Sequence, residues 1–254
     1  MSETLDSLIE RLIHIQVRLL HCQARLAVGT DPRALQDSHR ALRRLRGLLR
    51  PLRGLPGIER LEDAARTLGR HTAMARDKER LLPLLGAAQA DPLHTYARVA
   101  HNEPFLQLLR LLDTLVPLLR TNAHYGVMGN LDRRIRRALD RQARRLRRAL
   151  ASPGSERHRL RLLIRSLRYA LKAYPEQVSV SRELSRALKG AQDGLAQWHA
   201  CQQRVNLAEQ DPALAAQSGQ WQAELRQAEH LADQALARLR VVVGKPRSLN
   251  TRNR

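Results

Sequence analysis

Aromatic side chains make up only 3% of the 254 residues, so the chain has few platforms for stacking unpaired bases. Two cysteines, Cys22 and Cys201, are too few for a disulfide framework or a four-ligand zinc site. No apolar run approaches the roughly 20 residues of a membrane span. The opening MSETLDSLIE lacks the basic-then-apolar order of a secretory signal. These absences predict a soluble, cytoplasmic protein with no membrane partner. Neither G-x-x-x-x-G-K-S/T nor H-E-x-x-H occurs. His14/His21 and His94/His101 stand seven apart, wider than the i, i+4 spacing that one helix uses to chelate a metal. Glu59, Glu62 and Asp63 read as an acidic first turn favoured by the helix dipole rather than a Mg²⁺ site. The expectation is a binding protein: no enzyme, no catalytic residue, no metal and no cofactor.

Lysine is also scarce. Lys78, Lys172, Lys189 and Lys245 are the only four among 45 basic residues, and the rest are arginine, whose planar fork matches phosphate oxygens. Against 24 acids this leaves a net charge of +21. Residues 33–53 carry +6 of it and residues 131–172 carry +12, so the remainder of the chain is nearly neutral. Charge concentrated in this way reads as a surface for a polyanion.

Helical periodicity runs through almost the whole sequence, and no alternating strand pattern competes with it. Leu5, Leu8, Ile9, Leu12, Ile13, Leu19, Leu20 and Leu26 read as one apolar face of a first helix. Asp31-Pro32, Asp91-Pro92 and Asp211-Pro212 open further helices, Asn102, Asn130 and Ser181 can cap others, and Pro51, Pro56-Gly57 and Ser152-Pro153-Gly154 separate them. Short turns place neighbouring helices antiparallel. The predicted fold is all-α: two tandem four-helix bundles, residues 1–125 and 126–244, then a basic flexible tail at 245–254.

The charges are also ordered. His39, Arg43, Arg46 and Arg50 are spaced i, i+4, i+7, i+11, and Arg161, Arg165, Arg168 and Lys172 repeat that spacing 122 residues later. Leu42, Leu45 and Leu49 have counterparts in Ile164, Leu167 and Leu171, while Leu68, Arg70, Ala75 and Asp77 match Leu184, Arg186, Ala191 and Asp193 at an offset of 116. Offsets near half the chain length suggest an internal duplication with approximate twofold symmetry. Arg137, Arg141, Arg144 and Arg148 make a third row with the same spacing. Each row lies within an arc of roughly 60° on its helix, with charges about 5 Å apart along the axis. Like charges so arranged repel unless an anion lies between them.

His158, Arg161, Arg165, Leu167, Arg168, Tyr169 and Leu171 follow a motif with Ser166 in place of a second central basic residue. In the first half, Arg43, Arg44, Leu45 and Arg46 follow it, with Gln36 in the slot of a histidine and His39 in that of the first arginine. Arg76-Asp77 and Gln192-Asp193 look like downstream dipeptides of the same motif. In these residues the chain resembles the CHAD family, the conserved histidine α-helical domain. The resemblance implies a basic central groove or channel that binds inorganic polyphosphate and an association with polyphosphate granules. The Glu-x-Glu-x-Lys signature of the CYTH triphosphatase found in some relatives is absent, which implies a stand-alone binding module. The expected polyphosphate contacts are His39, Arg43, Arg46, Arg50, Arg137, Arg141, Arg144, Arg148, His158, Arg161, Arg165, Arg168 and Lys172. Asp77 and Asp193 read as carboxylates that orient arginines. A basic architectural protein with weak affinity for nucleic acid is the alternative.

Overall fold

In a computed structural model, the residues described are 3–29, 31, 33–85, 92–152, 154–210, 212–245 and 249–251; for 74–85, 92–95, 212, 213, 215 and 249–251 the description is of the backbone. The described residues are overwhelmingly helical, in the order α1 Glu3–Val28, α2 Ala34–Leu49, α3 Ile58–Leu85, α4 Pro92–Ala100, α5 Glu103–His124, α6 Leu131–Ala151, α7 Arg157–Ala173, α8 Arg182–Gln210 and α9 Ser218–Gly244. Short 3₁₀ turns at Arg50–Leu52 and Pro212–Gln217 complete the helical part. Pro32, Asp91, Pro153 and Asp211, four of the expected helix punctuators, lie outside the described residues.

The helix starts have local causes. Asn102 Oδ1 accepts from the Phe105 amide at 2.9 Å, Asn130 Oδ1 from the Arg133 amide at 2.8 Å, and Ser181 Oγ from the Leu184 amide at 3.1 Å. Asp31 Oδ1 takes the Arg33 amide at 2.8 Å in the turn before α2. Gly57 adopts φ +80°, where a Cβ would stand 2.8 Å from Leu118 Cδ2, so glycine is required at the bend into α3.

The chain divides into two compact units, Met1–Ile135 and Arg136–Arg254. The division falls inside α6, whose first turn is tied into the first unit. Thr4 Oγ1 donates to the Asp132 carboxylate at 2.9 Å, and Arg134 Nη1 donates to the Arg53 carbonyl at 2.9 Å.

In the first unit α1 packs on α2, α4 and α5, and α3 packs on α2 and α5. Leu8, Leu12, Leu19, Leu35, Leu45, Leu49, Ile58 and Phe105 are almost wholly buried there; each such side chain contributes roughly 1.5–3 kcal/mol. The predicted apolar face of α1 separates into two. Leu5, Leu8, Ile9, Leu12, Leu19 and Leu26 enter the core, whereas Ile13 and Leu20 are 43% and 44% exposed. Their directions on the helix differ by enough to miss the neighbouring helices.

In the second unit α8 packs along α9 and against α7. One feature departs from the all-helical expectation. Val178–Val180, just after α7, pairs antiparallel with Leu249–Thr251 in the register Val178 to Thr251 and Val180 to Leu249. Three of the residues expected in a flexible tail therefore form a β-strand.

Candidate anion-binding site

In the first unit the α2 row borders the core, and its members differ in depth. His39 is 5% exposed, and its Nε2–H donates to the Thr72 carbonyl at 3.4 Å. A ring so placed belongs to the α2–α3 packing and is removed from the row that can meet a bulk polyanion. Arg43, Arg46 and Arg50 are half-buried, beside the buried Leu42, Leu45 and Leu49.

At the end of that row stands Glu62, on α3 and only 2% exposed. Arg53 grips it with two parallel hydrogen bonds of 2.5 Å, from Nε to Oε2 and from Nη2 to Oε1. Arg50 Nε lies 3.6 Å from Oε1 and Arg66 Nη2 lies 3.9 Å from it. Burial pushes the Glu62 carboxyl up, but the Arg53 hydrogen bonds and the charges of Arg53, Arg50 and Arg46 outweigh it and hold the group below the ordinary glutamate range. Burial lowers the pKa of Arg46 and of Arg50, with the Glu62 charge acting in the opposite direction. Arg46 Nε is buried and has no hydrogen-bond partner among the described residues. One buried carboxylate thus serves several guanidiniums, and Arg66 also pairs with Asp63 at 2.8 Å.

Sequence reasoning missed this hub. Glu62 resembled its exposed neighbours Glu59 and Asp63, yet it lies four residues after Ile58 and within the arc of Ile58, Leu61 and Ala65, all buried. An acid on the core face of a helix was the available signal. Asp193, expected to orient arginines, is exposed and makes no ion pair among the described residues. The side chains of Arg76 and Asp77 lie outside the described residues.

In the second unit α7 carries Arg161, Arg165 and Arg168 half-buried and Lys172 exposed, above the buried Leu160, Ile164, Leu167 and Leu171. The helix contains no acidic residue. Arg168 and Lys172 form no ion pair among the described residues. Arg157, at the start of α7, differs: it donates to Asp233 at 2.8 and 3.1 Å and to Glu229 at 3.2 Å, and its guanidinium lies 5.9 Å from the centre of the Trp198 ring. Those bonds raise the Arg157 pKa and pin α7 to α9. His158 is exposed and meets His199 edge to face at 5.8 Å.

The third row is of another kind. Arg137, Arg141, Arg144 and Arg148 are all exposed, as are Arg145 and Arg147, while Ile135, Leu139, Leu146 and Leu150 on the opposite face are buried. These guanidiniums stand in water, where an unpaired charge costs little. Among the described residues no group of three or more His, Cys, Asp or Glu side chains is placed to hold a metal ion, and no helix is long and apolar enough to cross a membrane.

A helical domain whose basic rows border its core is the class this geometry defines. A family model for the CHAD domain matches residues 12–209, and the chain belongs to the CHAD family. It is also similar to a solved structure, the CHAD domain from the plant Ricinus communis. The two share 20% identity and a TM-score of 0.71, over 98% of this chain and 94% of that one; at this identity the likeness concerns the fold. No curated protein matches the sequence.

Proposed function

We propose that this CHAD domain binds linear inorganic polyphosphate without turning it over, and that this binding places it at polyphosphate-rich bodies in the cell. The contacts are Arg161, Arg165, Arg168 and Lys172 on α7 and Arg43, Arg46 and Arg50 on α2, with His158 beside the first and the exposed α6 arginines adding long-range attraction. The observation that carries this reading is the depth of the arginine rows: guanidiniums recessed among leucines, with Glu62 the one buried carboxylate among the described residues of the first unit and no acid on α7. Arginines spaced about 5 Å apart along a helix suit a slender chain charged at every unit. A duplex, far wider, meets exposed arginines readily and recessed ones poorly, which favours polyphosphate over nucleic acid.

The test is a binding isotherm for long-chain polyphosphate, followed by competition with duplex DNA at equal phosphate concentration. The expected outcome is tight binding that weakens steeply with salt, little displacement by DNA, and unchanged chain length after incubation with Mg²⁺ or Mn²⁺. Full displacement by DNA favours the nucleic-acid reading, and shortened chains favour an enzyme.

A further inference from the structure

The exposed side of α1 has a pattern that polyanion binding does not use. Ile13, Val17 and Leu20 are 43%, 45% and 44% exposed, and Ala24 is exposed next to them. Their spacing of four, three and four residues is that of a coiled-coil seam. At 100° per residue the four lie within an arc of roughly 60°, well separated from Leu8, Leu12, Ile15 and Leu19, which face the core. A helix already committed to the core on one face thus carries a second apolar strip that stays exposed among the described residues.

We propose that this strip pairs with the same strip of a second copy of the chain, the two α1 helices running antiparallel about a twofold axis near Val17. Self-pairing is the solution in which one surface supplies both sides of an isologous interface. Charge selects the direction. Asp6 and Glu10 are exposed at the N-terminal end of the strip and His21 towards its C-terminal end, whereas Arg25, one turn on, is held by Asp31 and Asp37 of its own chain. A parallel pair stacks Asp6 on Asp6 and Glu10 on Glu10. An antiparallel pair separates those acids and sets Glu10 of one copy beside the exposed His21 of the other, Ile13 against Leu20 of the second copy, and Val17 against itself. The seam from Ile13 to Ala24 is short, roughly 16 Å, so the dimer is a reversible one of micromolar affinity. Because each chain carries +21, salt screens the repulsion between copies and tightens the dimer, the reverse of its effect on polyphosphate binding.

Sedimentation velocity on the full chain, from about 1 to about 100 µM at low and high NaCl, tests this. The expected result is a monomer–dimer equilibrium that shifts towards dimer as salt rises. Val17→Glu and, separately, Leu20→Glu remain monomeric with an unchanged melting temperature. Under mild oxidation Val17→Cys cross-links to itself much faster than Ile13→Cys. A wild-type chain that stays monomeric throughout overturns the proposal. So does a Val17→Glu chain that dimerises like wild type, or self-cross-linking through Ile13→Cys as fast as through Val17→Cys, which marks a parallel pair. Binding of the monomer to phosphatidylserine vesicles that is lost in Val17→Glu, with no dimer, assigns the strip to a lipid surface instead.

Discussion

The α2 and α7 rows share one spacing of basic residues but are electrically unlike. The first has a buried carboxylate at its end, Glu62, held by Arg53 and approached by Arg50 and Arg66. Moving from Glu62 by the repeat offsets of 116 and 122 leads to Val178 and Leu184, both buried and apolar. Those two positions hold no carboxylate, and α7 contributes none of its own. Cations beside a core need an anion. One row meets a buried carboxylate of the protein, Glu62, which ties those arginines to folding; the other has no acid on its own helix.

The largest effect expected from breaking this contrast is on stability. Glu62→Ala removes the carboxylate that Arg53 and Arg50 share, a loss of about 2–3 kcal/mol with both guanidiniums partly exposed to water. Thermal denaturation should show a drop of roughly 4–12 °C. Polyphosphate should restore more melting temperature to this variant than it adds to wild type, since an external anion then replaces the missing carboxylate. The same carboxylate gives a pH signature. Its pKa is depressed in the fold, so its stabilising contribution is complete above the unfolded value of about 4.3 and is lost as pH falls through the native value. The stability gap between wild type and Glu62→Gln should accordingly be constant near neutrality and close in acid, measured by urea unfolding as a function of pH.

The exposed α6 row sharpens the comparison from the other side. Replacing Arg137, Arg141, Arg144 and Arg148 by Gln should leave the melting temperature nearly unchanged, because surface substitutions usually stay within about 0.5 kcal/mol. Polyphosphate affinity should fall roughly tenfold at low salt, and the deficit should vanish near 0.5 M NaCl. The smallest effect belongs to Arg157→Ala. Its half-exposed pairs with Asp233 and Glu229 are worth about 0.2–1 kcal/mol. Calorimetric melting should register that loss with no change in polyphosphate affinity.

Much of this was legible in the sequence wherever the cause is local. Asn102, Asn130 and Ser181 act as caps because a cap needs only a side-chain oxygen and an amide two or three residues on. The arginine rows were legible because helical period alone places such residues on one side. What escaped depends on what lies opposite. The depth of His39 is set by α3, and the role of Glu62 by arginines on other elements. The exposure of Ile13 and Leu20 reflects the limited arc of α1 that α2, α4 and α5 can cover. The pairing of Val178–Val180 with Leu249–Thr251 joins segments some 70 residues apart, and nothing in either stretch alone announces the other.

The central claim is that the recessed α7 arginines are the principal polyphosphate contacts. Isothermal titration with long-chain polyphosphate, comparing wild type with the triple variant Arg161→Gln, Arg165→Gln, Arg168→Gln, tests it most directly. The account predicts a loss of at least ~100-fold, near 3 kcal/mol, in a chain that still melts cooperatively, with a log–log salt slope shallower by about 2–3. A folded triple variant that binds within about twofold of wild type would contradict it.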